Sequence, residues 1–272
     1  MRDVSNLIIF STAVLVLSSA AVAAGPPSAP LTKCPIDSVV SGSGCMDKYE
    51  ASVWRVPDAT TTNRGLVAKI RQGKATIADL TARGANQLGT TADDYAPCAD
   101  SGQNCTDDIF ALSLPGVLPS GFVTWFQAQE ACANAGKRLP SNAEWQAAVA
   151  GTPDPGPDDG MTACNTIATM SATPTGSRSK CVSSVGAFDM VGNMFEWVAD
   201  MVPRSTGLGT WNAEVSPTGD LQFLAGASTV GEPGPLVRGG LFVSGMNAGP
   251  LEVDGAIRAG FVLNGIGFRC AR

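Results

Sequence analysis

The residues best suited to chemistry in this 272-residue chain are its eight cysteines, and no histidine accompanies them. All eight follow Lys33, their number is even, and none lies in a C-x-x-C pair. Metal sites are usually built from clustered thiolates and imidazoles, so this pattern favours disulfides over metal binding. Disulfides form in oxidising compartments, which predicts an exported protein.

The absence of histidine excludes several enzyme classes. Histidine is the usual general base, the commonest metal ligand and the usual partner of a serine or cysteine nucleophile. No carboxylate pair, activated nucleophile or phosphate-binding loop is recognisable either. The residue types therefore favour a binding protein over an enzyme.

Composition limits the partners and predicts the character of the backbone. A net charge of -6 argues against nucleic acid and anionic membrane surfaces as partners. An apolar content of 44% is sufficient for a buried core. Thirty-one glycines and eighteen prolines predict much irregular backbone.

Residues 1–24 have the layout of a secretory signal peptide, with one arginine, an apolar run and the small residues Ala21-Val22-Ala23. An uncleaved membrane anchor is the alternative, because the run is just long enough to span a bilayer. The Gly25-Pro26-Pro27 that follows favours cleavage, after which no membrane partner is expected. Residues 25–45 are predicted to be a linker and a small disulfide loop, and residues 46–272 the domain.

Two capping boxes predict the helices. Thr124 to Gln127 has the T-x-x-Q form, and Ser141 to Glu144 has the S-x-x-E form. The first helix should run to Gly136, because glycine commonly ends a helix, and the second should run through Val149.

The other segments give weaker signals. Residues 46–54 alternate as a strand does, residues 63–88 are predicted to be mainly helical, and residues 93–119 to form a loop. Short strands and long loops are expected beyond Met161. We expect residues 55–120 to be an insertion on the scaffold. A separate small domain is the alternative, which is disfavoured because the segment contains few large apolar residues to bury.

Four stretches resemble one protein family. They are 126–141 with Glu144-Trp145, 186–198, 237–240 and 267–270. In this order they resemble the formylglycine-generating, sulfatase-modifying domain, and together they span roughly residues 46–272. The resemblance implies an α+β C-type lectin-like fold with two main helices, short antiparallel strands and much ordered loop.

The cysteines can be paired on two grounds. Proximity along the chain pairs Cys34 with Cys45, Cys98 with Cys105, and Cys164 with Cys181. The family resemblance implies the fourth disulfide, between Cys132 and Cys270.

The resemblance also implies a catalytic site that this sequence lacks. Formylglycine-generating enzymes bind copper with two cysteines that follow the Arg-Gly-Gly strand, and related iron oxygenases of this fold use histidines. Residues 239–269 contain neither residue type. The chain is therefore predicted to be non-catalytic and to carry no catalytic cofactor. A formylglycine-generating-type oxidase, or another enzyme on the same fold, is the alternative.

Several residues of these motifs suit a scaffold. Gly192-Asn193 is predicted to form a turn with positive φ, and Trp197 to anchor the core. Arg238 and Arg269 are expected to hydrogen-bond loop carbonyls or a carboxylate such as Glu144 or Glu196.

Structural calcium is a further expectation. The family often binds calcium beside the motif that contains Asn193 and Glu196, and oxygen ligands suit this ion. A capping hydrogen bond for Asn193 and a solvated carboxylate for Glu196 are the open alternative. Asp154, Asp158 and Asp159 are a weaker candidate, because their spacing departs from a calcium-binding loop.

Residues 241–265 are the candidate binding segment, because they mix large apolar side chains with glycine and show no sustained period. The segment resembles the varied region of retroelement-diversified proteins, whose ligand would be a protein or surface component. A family member with a drifted, inactive site is the alternative. The candidate contact residues are Phe242, Val243, Ser244, Met246, Asp254, Ala256, Ile257, Phe261, Leu263 and Asn264.

Overall fold

The computed structural model describes residues 33–105, 108–154, 158–205, 222–223 and 229–272. The predicted signal peptide, residues 1–24, and the linker up to residue 32 lie outside these ranges. Within them, no helix combines the length and the apolar character that crossing a membrane would require.

Short helices and short strands make up the described structure, which confirms the predicted α+β class. The elements in the first half are β1 (Ser38–Ser41), β2 (Gly44–Asp47), β3 (Ala51–Arg55), α1 (Arg64–Arg71), α2 (Ile77–Ala82), β4 (Asn86–Leu88), β5 (Ile109–Ser113), α3 (Trp125–Asn134) and α4 (Asn142–Ala148). Those in the second half are β6 (Phe195–Ser205), β7 (Gln222–Phe223), β8 (Thr229–Arg238), a 3-10 helix (Gly245–Asn247), β9 (Val253–Asp254) and β10 (Ile266–Phe268).

Both predicted capping boxes are present. The Thr124 hydroxyl accepts the Gln127 N–H at 3.1 Å, and the Gln127 side chain accepts the Thr124 N–H at 3.0 Å. Ser141 and Glu144 form the same reciprocal pair, at 3.2 and 2.8 Å. These bonds satisfy backbone donors that would otherwise lack partners at the start of α3 and α4.

Three of the weaker predictions are wrong in part. The strand predicted over residues 46–54 is divided into β2 and β3, because β2 pairs with β1 whereas β3 pairs with β4 and β5. The helical segment 63–88 ends in β4, and the loop 93–119 contains β5. Both strands pair with β3, so pairing with a distant segment decides their structure.

Residues 55–120 contribute much of the core. The expectation that they have few large apolar residues to bury is wrong. Those that are buried include Leu66, Ile70, Leu80, Phe110 and Leu112. Leu88, Tyr95 and Ile109 also pack in one cluster with α3 and with Trp197, so this segment and the rest of the domain share a core.

Strands of the described residues form three sheets, in the orders β1-β2, β4-β3-β5 and β10-β6-β8-β9-β7. Most pairs are antiparallel, as expected. Two pairs differ, because β10 runs parallel to β6 and β9 runs parallel to β7. Since β8 is the middle strand of the largest sheet, the candidate binding segment that follows β8 begins from the middle of that sheet.

The four disulfides join the predicted pairs, Cys34–Cys45, Cys98–Cys105, Cys132–Cys270 and Cys164–Cys181. Cys132–Cys270 links α3 to the residues that follow β10, across a sequence separation of 138. Four disulfides are typical of proteins that mature outside the reducing cytoplasm.

Candidate functional site

Two glycines set the direction in which the candidate binding segment leaves β8. Gly239 and Gly240 both have φ of +87°, a conformation that strains any residue with a Cβ. A Cβ on Gly240 would also collide with Ala248 and with the Glu252 carboxylate. This geometry fixes the direction in which the segment starts.

Backbone hydrogen bonds then attach the segment to the scaffold at several points outside the sheet. They run from Phe242 N–H to Asn193 C=O, from Gly245 N–H to Thr166 C=O, from Trp125 N–H to Ala259 C=O, from Phe122 N–H to Leu263 C=O and from Phe195 N–H to Gly265 C=O, at 2.9 to 3.2 Å. A backbone held in this way loses little conformational entropy when its side chains bind a ligand.

The candidate contact residues differ in exposure. Val243, Met246, Phe261, Leu263 and Asn264 are exposed, and Ser244, Asp254, Ala256 and Ile257 are half-buried. The Met246 side chain is the most accessible of the large apolar ones, at 77%.

Phe242 does not belong to this surface, and its assignment as a contact residue is wrong. It is 5% exposed. Its ring lies against Gly265, where an added Cβ would come within 3.3 Å of it. The missing side chain of Gly265 therefore provides the space that Phe242 fills.

Asp254 is half-buried and also has a structural role. Its carboxylate accepts the Ala256 N–H at 2.6 Å, which holds the turn after β9. Burial raises the pKa of this carboxyl group above its ordinary value.

Exposed apolar residues outside the segment were missed by the sequence reasoning. Met161, Ile167 and Met170 are 77%, 45% and 61% exposed, in the loop whose Thr166 carbonyl binds Gly245. The sequence feature that could have identified them is the presence of three large apolar side chains in a loop rich in Asp, Thr and Ser.

This loop is held in place by two carboxylates. Asp158 accepts the N–H groups of Thr166, Ile167 and Ala168, at 2.9 to 3.0 Å. Asp159 accepts those of Met161, Thr162 and Ala163, at 2.7 to 2.9 Å. These oxygens accept backbone hydrogen bonds, so they do not fit the calcium site considered for Asp154, Asp158 and Asp159.

A buried ion pair joins β6 to the residue that follows β10, the strand after the candidate segment. Arg269, which is fully buried, contacts Glu196 with two nitrogens, at 2.5 Å from Nη2 to Oε1 and 2.7 Å from Nε to Oε2. Trp145 Nε1 donates to the same carboxylate at 2.7 Å. Arg269 also donates to the carbonyls of Asp47 and Phe188. This confirms the expected guanidinium fork and selects Glu196 over Glu144 as its partner.

Asn193 forms the turn that the sequence predicted, with φ of +59°. Its Oδ1 accepts the Thr173 N–H at 2.8 Å and an Asn165 side-chain N–H at 3.0 Å. Its Nδ2 donates to Glu50. Because protein donors occupy the oxygens of both Asn193 and Glu196, the arrangement does not fit a calcium ion held by these two residues. The alternative of a solvated Glu196 is wrong, because that side chain is buried.

The described part of the chain contains no cluster of side chains suited to metal binding. No set of three or more Cys, Asp or Glu side chains there is placed to hold a metal ion. All eight cysteines lie in disulfides, so no thiolate is available for copper at the position that formylglycine-generating enzymes use.

Arg238 connects the scaffold to the candidate binding segment. Its guanidinium lies 4.6 Å from the centre of the Trp145 ring and donates to the Pro250 carbonyl at 3.0 Å and to Gln146. The expected bonding to a loop carbonyl is confirmed. Glu144 pairs instead with Arg138, at 2.6 Å.

Two more buried carboxylates, Glu50 and Asp189, adjoin the Arg269–Glu196 pair. Burial, and repulsion from Asp189 and Glu196, raise the pKa of Glu50 well above its ordinary value. Burial raises the pKa of Asp189 to about 7. Near neutral pH the cluster therefore holds a proton that would be released in water.

Replacing Arg269 should be far more damaging than breaking an exposed pair. Arg269→Met leaves Glu196 buried without a counter-charge and should lower the free energy of unfolding by about 3 to 5 kcal/mol. The matched control, Arg138→Met, breaks the partly exposed pair with Glu144 and should cost about 1 kcal/mol or less. Urea denaturation measures the loss of unfolding free energy in both variants. Equal losses would contradict the conclusion that the buried Arg269–Glu196 pair stabilises the fold more than the Arg138–Glu144 pair does.

Stability should fall as pH rises towards neutrality. Between the ordinary pKa of 3.8 and the folded value of about 7, Asp189 binds more protons in the folded state than in the unfolded chain. The free energy of unfolding should therefore decrease with pH, by at most about 1.4 kcal/mol per pH unit from this group.

The variant Asp189→Asn should reduce that slope, and Asn tolerates the positive φ of this position. The control is Asp159→Asn, because hydrogen bonds to the Asp159 carboxylate lower its pKa and it titrates below this range. Urea denaturation over the range from about pH 5 to about pH 7 measures the slope. If the dependence of unfolding free energy on pH is unchanged in Asp189→Asn, the inference that Asp189 binds a proton in the folded state is contradicted.

Comparison with known proteins identifies one family. The sulfatase-modifying factor enzyme 1-like domain matches residues 99–272. No curated protein matches the chain.

Solved structures of three proteins are similar to the chain. The I1 variant of Major Tropism Determinant is 15% identical, with a TM-score of 0.48 over 89% of this chain and 54% of that one. Treponema denticola variable protein 1 is 17% identical, with a TM-score of 0.38 over 57% of this chain and 71% of that one. PvdO from Pseudomonas aeruginosa is 18% identical, with a TM-score of 0.40 over 91% of this chain and 89% of that one. The chain spans about half the length of the Major Tropism Determinant structure.

The family match covers more than half of the chain and contains α3, α4, β6, β8 and β10. The chain therefore belongs to the sulfatase-modifying factor enzyme 1-like family and has the C-type lectin-like fold predicted from its sequence.

Proposed function

We propose that the chain is a non-catalytic, exported protein that binds a protein or surface ligand through residues 241–265. The observation that carries this proposal is a contrast within one segment. Both ends of the segment are fixed by glycines and buried residues, whereas Val243, Met246, Leu251, Phe261 and Leu263 expose 39% to 77% of their surface. Exposed apolar residues grouped on a rigid backbone are typical of a contact surface.

Neighbouring residues enlarge this surface. The loop that contains Met161, Ile167 and Met170 is bonded to Gly245 and lies beside the exposed Met246. Methionine side chains adapt their shape to different partners, which suits a surface that accepts more than one ligand. The retroelement-diversified type of variable protein is the specific form of binding protein that we propose. Its compartment would be the periplasm, the cell surface or the medium.

The absence of histidine, and of cysteines at the position of the family's copper site, supports a non-catalytic role. The segment between β8 and β10, where the resemblance implies the copper-binding cysteines, has no cysteine, and the chain has no histidine. The protein fold alone does not determine function, so loss of these ligands removes the family chemistry whatever remains of the scaffold.

Replacing exposed residues of the segment should abolish ligand binding without unfolding the protein. Val243→Ser, Met246→Ser and Phe261→Ser should each change the free energy of unfolding by about 0.5 kcal/mol or less. The matched control is Phe242→Ser, at the buried position directly before Val243. This substitution should lower the free energy of unfolding by roughly 3 to 5 kcal/mol.

Thermal melting and binding to a surface extract test this prediction together. We expect the triple serine variant to keep its melting temperature and to lose binding. Loss of folding in that variant would show that the three side chains belong to the core and would overturn the contact-surface proposal.

The oxidase alternative has a direct test. The purified chain should hold no stoichiometric copper and should consume oxygen, with a cysteine-containing peptide present, at the protein-free rate. The reason is that copper of this type requires thiolate ligands, and the cysteines are paired. Copper content is measured by atomic absorption and oxygen with an electrode. Turnover above the protein-free rate would establish an enzyme.

A further inference from the structure

A groove of about 410 Å³ opens at one end of the candidate binding segment. Its lining consists of Arg204, Ala256, Ile257, Arg258 and Phe261. Arg204 is supplied by β6 of the scaffold, and the other four residues belong to the segment. The groove therefore lies where the fixed sheet and the candidate binding segment meet.

The shape of the groove is set by the backbone beneath it. Gly234 of β8 lies between Arg204 and Gly255, and a Cβ on Gly234 would collide with the Gly255 carbonyl oxygen. The bond from Ala256 N–H to Asp254 then fixes the turn that precedes Ile257. Ile257 is half-buried and packs against the main core cluster. The floor of the groove is thus preformed.

The chemistry of the groove combines positive charge with an apolar wall. Arg204 and Arg258 contribute two guanidinium groups, and none of the described lining residues is acidic, although the chain carries a net charge of -6. Ile257 and Phe261 contribute the apolar wall, and Phe261 is 47% exposed. Both arginines also have interactions within the protein. A guanidinium has five N–H donors, so bonding within the protein and bonding to a ligand are compatible.

These features select one class of occupant. A guanidinium binds a carboxylate with two parallel hydrogen bonds, and an apolar wall favours a large aliphatic or aromatic neighbour. We infer that the groove binds a protein segment in which a Glu or Asp side chain lies next to a large apolar side chain. This inference rests on the proposed binding function and names the chemistry of the ligand at one part of the surface.

Short capped peptides provide the probe. Acetyl-Leu-Glu-amide should bind with a dissociation constant of about 1 mM, as expected for so small a ligand. Acetyl-Leu-Gln-amide should bind about tenfold more weakly, because it lacks the charge that strengthens the hydrogen bonds. Titration followed by NMR, through the Nε–H resonances of arginine and the ring resonances of phenylalanine, locates each peptide on the disulfide-bonded chain.

Substitutions identify the groups responsible. Arg258→Gln and Arg204→Gln should each raise the dissociation constant of the Leu-Glu peptide about tenfold, because each removes a charge-assisted hydrogen bond. Arg258 is exposed, so its replacement should leave folding intact. The control Arg83→Gln makes the same change of charge at an exposed position outside the groove and should leave binding unchanged.

Three results would overturn the inference. They are equal binding of the Leu-Gln peptide, equally tight binding of inorganic phosphate, and unchanged binding in Arg258→Gln. The surface-extract assay separates this failure from failure of the proposed function. If the groove rejects the peptides while the triple serine variant still loses extract binding, only the inference about ligand chemistry fails. If the serine variant retains extract binding, the proposed function fails.

Discussion

The buried contact between Arg269 and Glu196 is the interaction on which the rest of the structure depends. It joins the end of the last strand to β6, and its remaining donors bind carbonyls beside β2 and in the turn at Phe188. Burying two charges is costly unless every hydrogen-bonding group is satisfied. Trp145 and the neighbouring carbonyls satisfy this requirement, so the contact holds α4, β6 and the end of β10 together.

That arrangement explains how a loop-rich domain can present a fixed surface. Long loops normally cost conformational entropy when they bind a ligand. Here, carboxylates and amides of the interior hold the loops through their backbone groups, as Glu50 does for Met194 and Asp158 does for Thr166. Side chains that do not make these contacts can change without disturbing the fold. The exposed residues of 241–265 are of this kind, whereas Phe242 is not.

Local signals in the sequence predicted local structure. The capping boxes at Thr124 and Ser141 involve residues three apart, and the turn at Asn193 depends on its own backbone, so all three were predictable. The strands β4 and β5 were not, because they exist through pairing with β3. The motifs indicated that Arg269 would bind loop carbonyls or a carboxylate such as Glu144 or Glu196, but only the fold shows that Glu196 is the partner. Exposure within the binding segment was equally unpredictable, since Phe242 and Val243 are adjacent and have opposite environments.

The bonds made by residues 266–272 bear on the order of events during biosynthesis. β10 pairs with β6, Arg269 neutralises Glu196, Cys270 forms its disulfide with α3, and the Arg272 backbone bonds to Cys45 in the first hairpin. The hairpin, α3 and β6 are synthesised earlier and must wait for these partners. The core therefore cannot close until residues 266–272 have left the ribosome. Until then the chain remains open, and Glu196 lacks the cation that makes its burial tolerable.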